Sequence, residues 1–186
     1  MVSVDDDNNI LAESFAFIPS GRIEEKTARE KVNYRELIKT EKVIVCGDRT
    51  IDYSVVEDFI LRLEERFNVQ IQAIGYDRWN CLSTAQKLEN EGFNMVEVRQ
   101  HSSVLHPPTK LLKEKILSKE FAYEHNKLLE INFQNARCVY DTNKNQYVNK
   151  KKSKGKVDMV VSLINATYLL QQDYFLNQSD FTIQVI

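Results

Sequence analysis

The chain has 186 residues, enough for one compact domain, or one domain plus a short tail. Hydrophobic residues make up 42% and charged ones 28%, with only 5 Gly and 3 Pro, which excludes collagen-like and Pro/Gly-rich disordered classes. The 25 Lys and Arg against 27 Asp and Glu leave a formal charge of −2, so any contact with a polyanion is expected to be local.

No apolar run approaches the ~18–20 residues that cross a bilayer. The acidic start (Asp5, Asp6, Asp7) is unlike a signal peptide, so a soluble protein with no membrane contact is expected. Cys46, Cys81 and Cys138 are far apart and odd in number, which suggests neither a zinc site nor a disulfide framework and fits a reducing compartment.

In chain order, Val2, Ser3 and Val4 are the stub of a strand. Asp5, Asp6, Asp7, Asn8 and Asn9 form a hairpin turn, and residues 10–18 a second strand closed by Pro19, Ser20 and Gly21. Residues 24–41 read as one or two exposed helices around Val32, Leu37 and Ile38, and residues 43–46 as a short strand. A capping box at Ser54 and Glu57 opens a helix whose Val55, Val56, Phe59, Ile60, Leu63 and Phe67 are expected to lie on a sheet. A strand over residues 69–76, a helix over 81–91 ending before Gly92 and a strand over 95–99 follow. The alternation describes a partly parallel sheet covered by helices.

Pro107 and Pro108 are expected to precede a helix over residues 109–119, and residues 121–136 to form another with an irregular lead-in. Residues 138–148 read as two short strands around a turn at Thr142, Asn143, Lys144 and Asn145. A basic loop at 150–156 leads into a final apolar helix over 157–170, with Val157, Val160, Val161, Ile164 and Tyr168 on one face. Residues 173–186 are a C-terminal tail without an assignment, possible as an edge strand or an interface segment.

Two acids stand out. Asp77 follows a strand, at the end of the strand where open α/β sheets hold ligands, although such an aspartate equally suits a cap of the next helix or turn. Trp79 beside it is expected to pack rather than to act as a stacking platform. Asp158 starts the last helix behind Lys150, Lys151, Lys152, Lys154 and Lys156. Its ordinary reading is a first-turn acid at the positive end of the helix dipole, with the lysines as a solvated loop. The functional alternative is that both carboxylates share Mg²⁺ or Mn²⁺ while the lysines hold phosphates. His101, His106 and His125 lack metal-ligand spacing, Cys81 lacks a base, and no GxGxxG or Walker A sequence is present.

Four segments in order carry a family resemblance: AFIPSGRIEEKTAREKVNYRELIKTEKVIVCGDRTIDY, ERFNVQIQAIGYDRWNCLSTAQKLENEGFNMVEVRQ, HPPTKLLKEKILS and KSKGKVDMVVSLINATYLL. This set resembles the nuclease domain of the large terminase subunit of tailed bacteriophages, over about residues 15–172. The resemblance implies an α/β fold, a ribonuclease H-like mixed sheet flanked by helices, over residues 1–172. It also implies two-metal-ion hydrolysis of DNA phosphodiester bonds. A YDxWN-like motif maps a metal-binding catalytic acid to Asp77, and a KxDxxxALxxA-like motif maps another to Asp158, where the local sequence is KVDMVVSLINA.

The family's first acid belongs on a strand upstream of this hairpin, so the domain is expected to be N-terminally truncated and to lack both that strand and the ATPase motor. Asp5, Asp6 and Asp7, at the hairpin turn, are poor substitutes. One weakly held Mg²⁺ or Mn²⁺ and weak or absent cleavage are then expected. Lys154 and Lys156, backed by Arg78 and the other lysines of the loop, are the candidate DNA contacts. The resemblance implies double-stranded DNA, the terminase ATPase portion, the small terminase subunit and the portal as partners, in the cytoplasm of a bacterial host. A competing reading is a non-catalytic assembly piece of the packaging motor. A third is an α/β small-molecule binder with Asp77 on a ribose hydroxyl.

Overall fold

The computed structural model describes residues 1–79 and 81–172; the expected tail at 173–186 lies outside the described residues. The expected hairpin is present: β1 (Val2–Val4) runs antiparallel to β2 (Ile10–Ala12). The Asp5 carboxylate closes its turn by accepting the backbone N–H groups of Asp7 and Asn9 at 3.0 and 2.8 Å and the Asn9 side-chain amide at 2.9 Å. The expected strand over 10–18 is two pieces, β2 and β3 (Ala16–Ile18), because the neighbouring strand changes between them.

Two helices follow, α1 (Ile23–Glu30) and α2 (Tyr34–Ile38), joined through Lys31 in the left-handed region at φ 56°. They are less exposed than expected, since Val32, Tyr34 and Leu37 enter the core. The short strand β4 (Val43–Val45) lies parallel to β3.

The next helix divides into α3 (Tyr53–Leu61) and α4 (Leu63–Phe67). Its N-cap is Asp52, not Ser54: the Asp52 carboxylate accepts the Ser54 N–H at 3.0 Å and the Ser54 hydroxyl at 2.6 Å. Contrary to the periodicity, the one buried residue of α3 is Glu57. Its carboxylate accepts from the Thr84 hydroxyl at 2.8 Å and from Lys87 at 3.0 Å, which clips α3 to α5 (Leu82–Asn90). Between these helices the strand over 69–76 shrinks to β5 (Ile74–Tyr76), and β6 (Met95–Glu97) pairs parallel to it.

The two prolines do not start α6 (Ser102–Leu117); they lie inside it. A proline there removes a helix hydrogen bond and costs on the order of 3 kcal/mol. Burial of Leu105, Pro108 and Leu112 offsets that loss, with about 1.5–3 kcal/mol gained per large apolar side chain. Phe121 to Tyr123 is not a helix lead-in but β7 (Phe121–Tyr123), parallel to β2 and distant from it in sequence. Asn126 caps α7 (Lys127–Asn135), its side-chain oxygen accepting the N–H groups of Leu128 and Leu129, both at 3.1 Å.

The second hairpin, β8 (Cys138–Tyr140) and β9 (Gln146–Val148), repeats the turn chemistry of the first. Asp141 accepts from the N–H groups of Asn143 and Asn145 at 2.8 and 2.9 Å and from the Asn145 amide at 2.9 Å. The chain then enters α8 (Asp158–Leu170), which packs on α6, α7, β5 and β1 through Met159, Val160, Leu163 and Ile164. Val161 and Tyr168, expected on the buried face, are only half-buried.

Candidate active site

Asp158 is the first residue of α8, and its position is set by side chains on α7. The buried Asn132 amide oxygen accepts the Met159 N–H at 3.1 Å, satisfying one of the open donors of the first turn of α8. The Asn132 amide nitrogen in turn donates to the Leu128 carbonyl at 2.9 Å. Asn135 ties down the loop before the helix. Its side-chain amide donates to the Lys156 carbonyl at 3.1 Å, and its own carbonyl accepts the Lys154 N–H at 3.0 Å. A Cβ on Gly155 would come within 2.7 Å of the Asn135 amide nitrogen, so only glycine passes here without moving Asn135.

The basic loop is therefore held rather than merely solvated. Lys150 and Lys156 approach the two Asp158 carboxylate oxygens at 3.5 and 3.7 Å, and these two lysines are exposed, as are Lys151, Lys152 and Lys154. A cleft of about 220 Å³ opens beside Asp158 and is lined by Lys26, Glu30, Tyr34 and Lys156 among others. The Tyr34 hydroxyl donates to Glu30 at 2.6 Å. Burial, the Glu30 bond and the negative charges of Glu30 and Asp158 push the Tyr34 phenol well up, so it stays a neutral donor. Burial alone would raise Glu30; its bonds from Tyr34 and Arg29 and the charges of Lys26 and Lys156 outweigh that and hold it below the usual carboxylate range.

Asp77 follows β5 directly and is half-buried. Its carboxylate accepts the Trp79 N–H at 3.2 Å, which bends the chain away from the strand. Trp79 does not pack as expected: it is 82% exposed, and Arg78 is exposed as well. Burial, with the Asp77 charge second, pushes the Cys81 thiol up, the opposite of an activated nucleophile. The histidines have structural partners: His101 caps α6, His106 accepts the Gln146 N–H at 2.8 Å, and His125 pairs with Glu130 at 3.3 Å.

Two contacts fix how α8 lies on β5 and on the segment that follows β6. A Cβ on Gly75, mid-β5, would come within 3.1 Å of Leu169, near the end of the helix. The Gln100 side chain, beyond the end of β6, donates to Asn165, one turn earlier, at 3.1 Å. Moving toward the carboxyl ends of this parallel pair is thus moving back toward the start of α8. Asp77 and Asp158 both lie in that direction. The observed partners of Asp77 are in its own loop and those of Asp158 are lysines. Among the described residues, no group of three or more His, Cys, Asp or Glu is arranged to hold a metal ion.

The family model for the terminase large subunit, endonuclease domain, matches residues 1–173. The chain belongs to this family. Among solved structures it resembles the HK97 bacteriophage large terminase with a TM-score of 0.82 at 20% identity, over 90% of this chain and 35% of that one. It also resembles the large terminase nuclease from thermophilic phage G20c, with a TM-score of 0.51 at 20% identity, over 68% of this chain and 64% of that one. Among curated proteins, none matches. The chain thus spans about a third of the HK97 protein, and the two likenesses show the fold: ribonuclease H-like, with mixed sheets flanked by helices.

Within this terminase nuclease domain, sequence reasoning missed the cleft residues Lys26, Glu30 and Tyr34. The first two have the i, i+4 spacing of one helix face, but their closeness to Asp158 depends on α1 and α2 folding back toward the start of α8. No helix of the described residues is long and apolar enough to cross a membrane.

Proposed function

We propose that this terminase nuclease domain acts on double-stranded DNA at a divalent-metal site that includes Asp77 and Asp158. What supports the reading is the contact of α8 with the β5 side of the domain, from Leu169 against Gly75 to Asn165 against Gln100, together with the positions of Asp77 just after β5 and Asp158 at the start of α8. Oxygen donors from two aspartates suit a hard cation such as Mg²⁺ or Mn²⁺, and the loop bond of Asp77 uses only one of its carboxylate oxygens. Two carboxylates offset the charge of one such ion, not of a pair about 4 Å apart, so one weakly held ion is expected from these residues alone. When bound, divalent ions supply Lewis acidity for phosphodiester hydrolysis.

The other groups of the chain position the substrate. Lys154 and Lys156, with Lys150, Lys151, Lys152 and Arg78, supply positive charge for phosphates of the duplex, independent of base sequence. The terminase ATPase portion, the small terminase subunit and the portal are the partners in this reading, and the host cytoplasm its location. Cleavage by this chain alone is expected to be weak or absent.

A second reading, a non-catalytic assembly piece of the packaging motor, is favoured by the two lysines that already balance Asp158. Mn²⁺-dependent nicking of plasmid DNA separates the two. The nuclease reading expects any nicking that the chain supports to be lost in Asp77→Asn and in Asp158→Asn. Nicking that survives both changes puts the chemistry elsewhere.

A further inference from the structure

We infer that Trp79 is a DNA-contacting residue whose indole stacks on a base beside the bond to be cut; this rests on the nuclease reading of Asp77. Tryptophan is among the more buried residue types on average, yet Trp79 is 82% exposed, and Leu82 at the start of α5 is also 45% exposed. Packing among the described residues does not account for it. The Trp79 N–H donates to the Asp77 carboxylate at 3.2 Å, so the backbone of the aromatic residue is tied to the acid. Arg78 between them is exposed.

A large exposed apolar ring whose backbone is bonded to an acid, next to a guanidinium, has the parts of a nucleic-acid contact. The cation meets phosphate, and the ring meets a base face, a contact tolerant of sequence because every base has one. A protein partner would also suit an exposed tryptophan. The attachment to Asp77 favours the ligand that must come to Asp77.

The chain has a single tryptophan, so its fluorescence reports this residue alone. The purified chain is titrated, under non-cleaving conditions, with a duplex and with a single-stranded oligonucleotide of the same sequence. Quenching of Trp79 emission that saturates with binding is expected. Stronger quenching by the single strand is the expected result, because its base faces are open to the indole; equal quenching by the fully paired duplex, whose base faces are covered by their neighbours, overturns the stacking contact. Trp79→Ala should bind roughly 5- to 150-fold more weakly, Trp79→Phe should retain most of the affinity, and the salt dependence should be unchanged in both. DNA binding with unaltered emission and equal affinity in both variants overturns the role of Trp79, leaves the nuclease reading standing and turns attention to a protein partner. Failure of the native chain to bind either oligonucleotide overturns this inference together with that reading.

Discussion

The two candidate acids are held by opposite means. Asp158 opens α8, whose Met159, Val160, Leu163 and Ile164 are buried, and its first turn is fixed by Asn132 across the α7–α8 contact. Asp77 follows a three-residue strand that is only half-buried and precedes the exposed Arg78 and Trp79, tied to them through one backbone N–H. Long-range packing sets one acid and local turn chemistry sets the other. Changes around Asp158 should therefore register in folding stability, and changes around Asp77 in function with little change in stability.

The strongest test of the packed side is Leu163→Ala. Leu163 is 3% exposed, and such a truncation costs about 2–5 kcal/mol in urea unfolding. Asn132→Ala comes next, at about 1–2 kcal/mol, since it removes the acceptor of the Met159 N–H inside the core. On the other side, Arg78→Ala should stay within about 0.5 kcal/mol of the native chain. A loss at Arg78 as large as that at Asn132 would erase the contrast between the two regions.

Neutralising the lysines of residues 150–156 should also change stability little, because exposed ion pairs such as those to Asp158 contribute about 0–1 kcal/mol each. Its effect should appear in DNA binding, where the slope of log affinity against log salt falls by about 0.9 for each phosphate contact removed. An unchanged slope would remove the loop from the DNA interface.

What the sequence revealed follows the same divide between local and distant causes. Both hairpin turns were readable because Asp5 with Asn9, and Asp141 with Asn145, carry the turn in five consecutive residues. The final helix and the lysine loop were readable for the same reason. The strand at Phe121, Ala122 and Tyr123 was not, because it exists by pairing with Ile10, Leu11 and Ala12. The start of α6 was misplaced because two prolines ordinarily mark a first turn, whereas here the Ser102 hydroxyl, donating to Asp141 at 2.6 Å, and the burial of Leu105 hold the helix start upstream of them. The motif offered Asp77 and Asp158 as candidates, but the exposure of Trp79 and the Glu30–Tyr34 pair beside Asp158 depend on how separate elements meet.

The claim that most needs testing is that Asp77 and Asp158 serve one cation. Anomalous diffraction from a crystal soaked in Mn²⁺ addresses it directly: a single manganese peak within coordination distance of both carboxylates is the predicted result. A peak bound by one aspartate with the other turned away, or located among other residues, would contradict it.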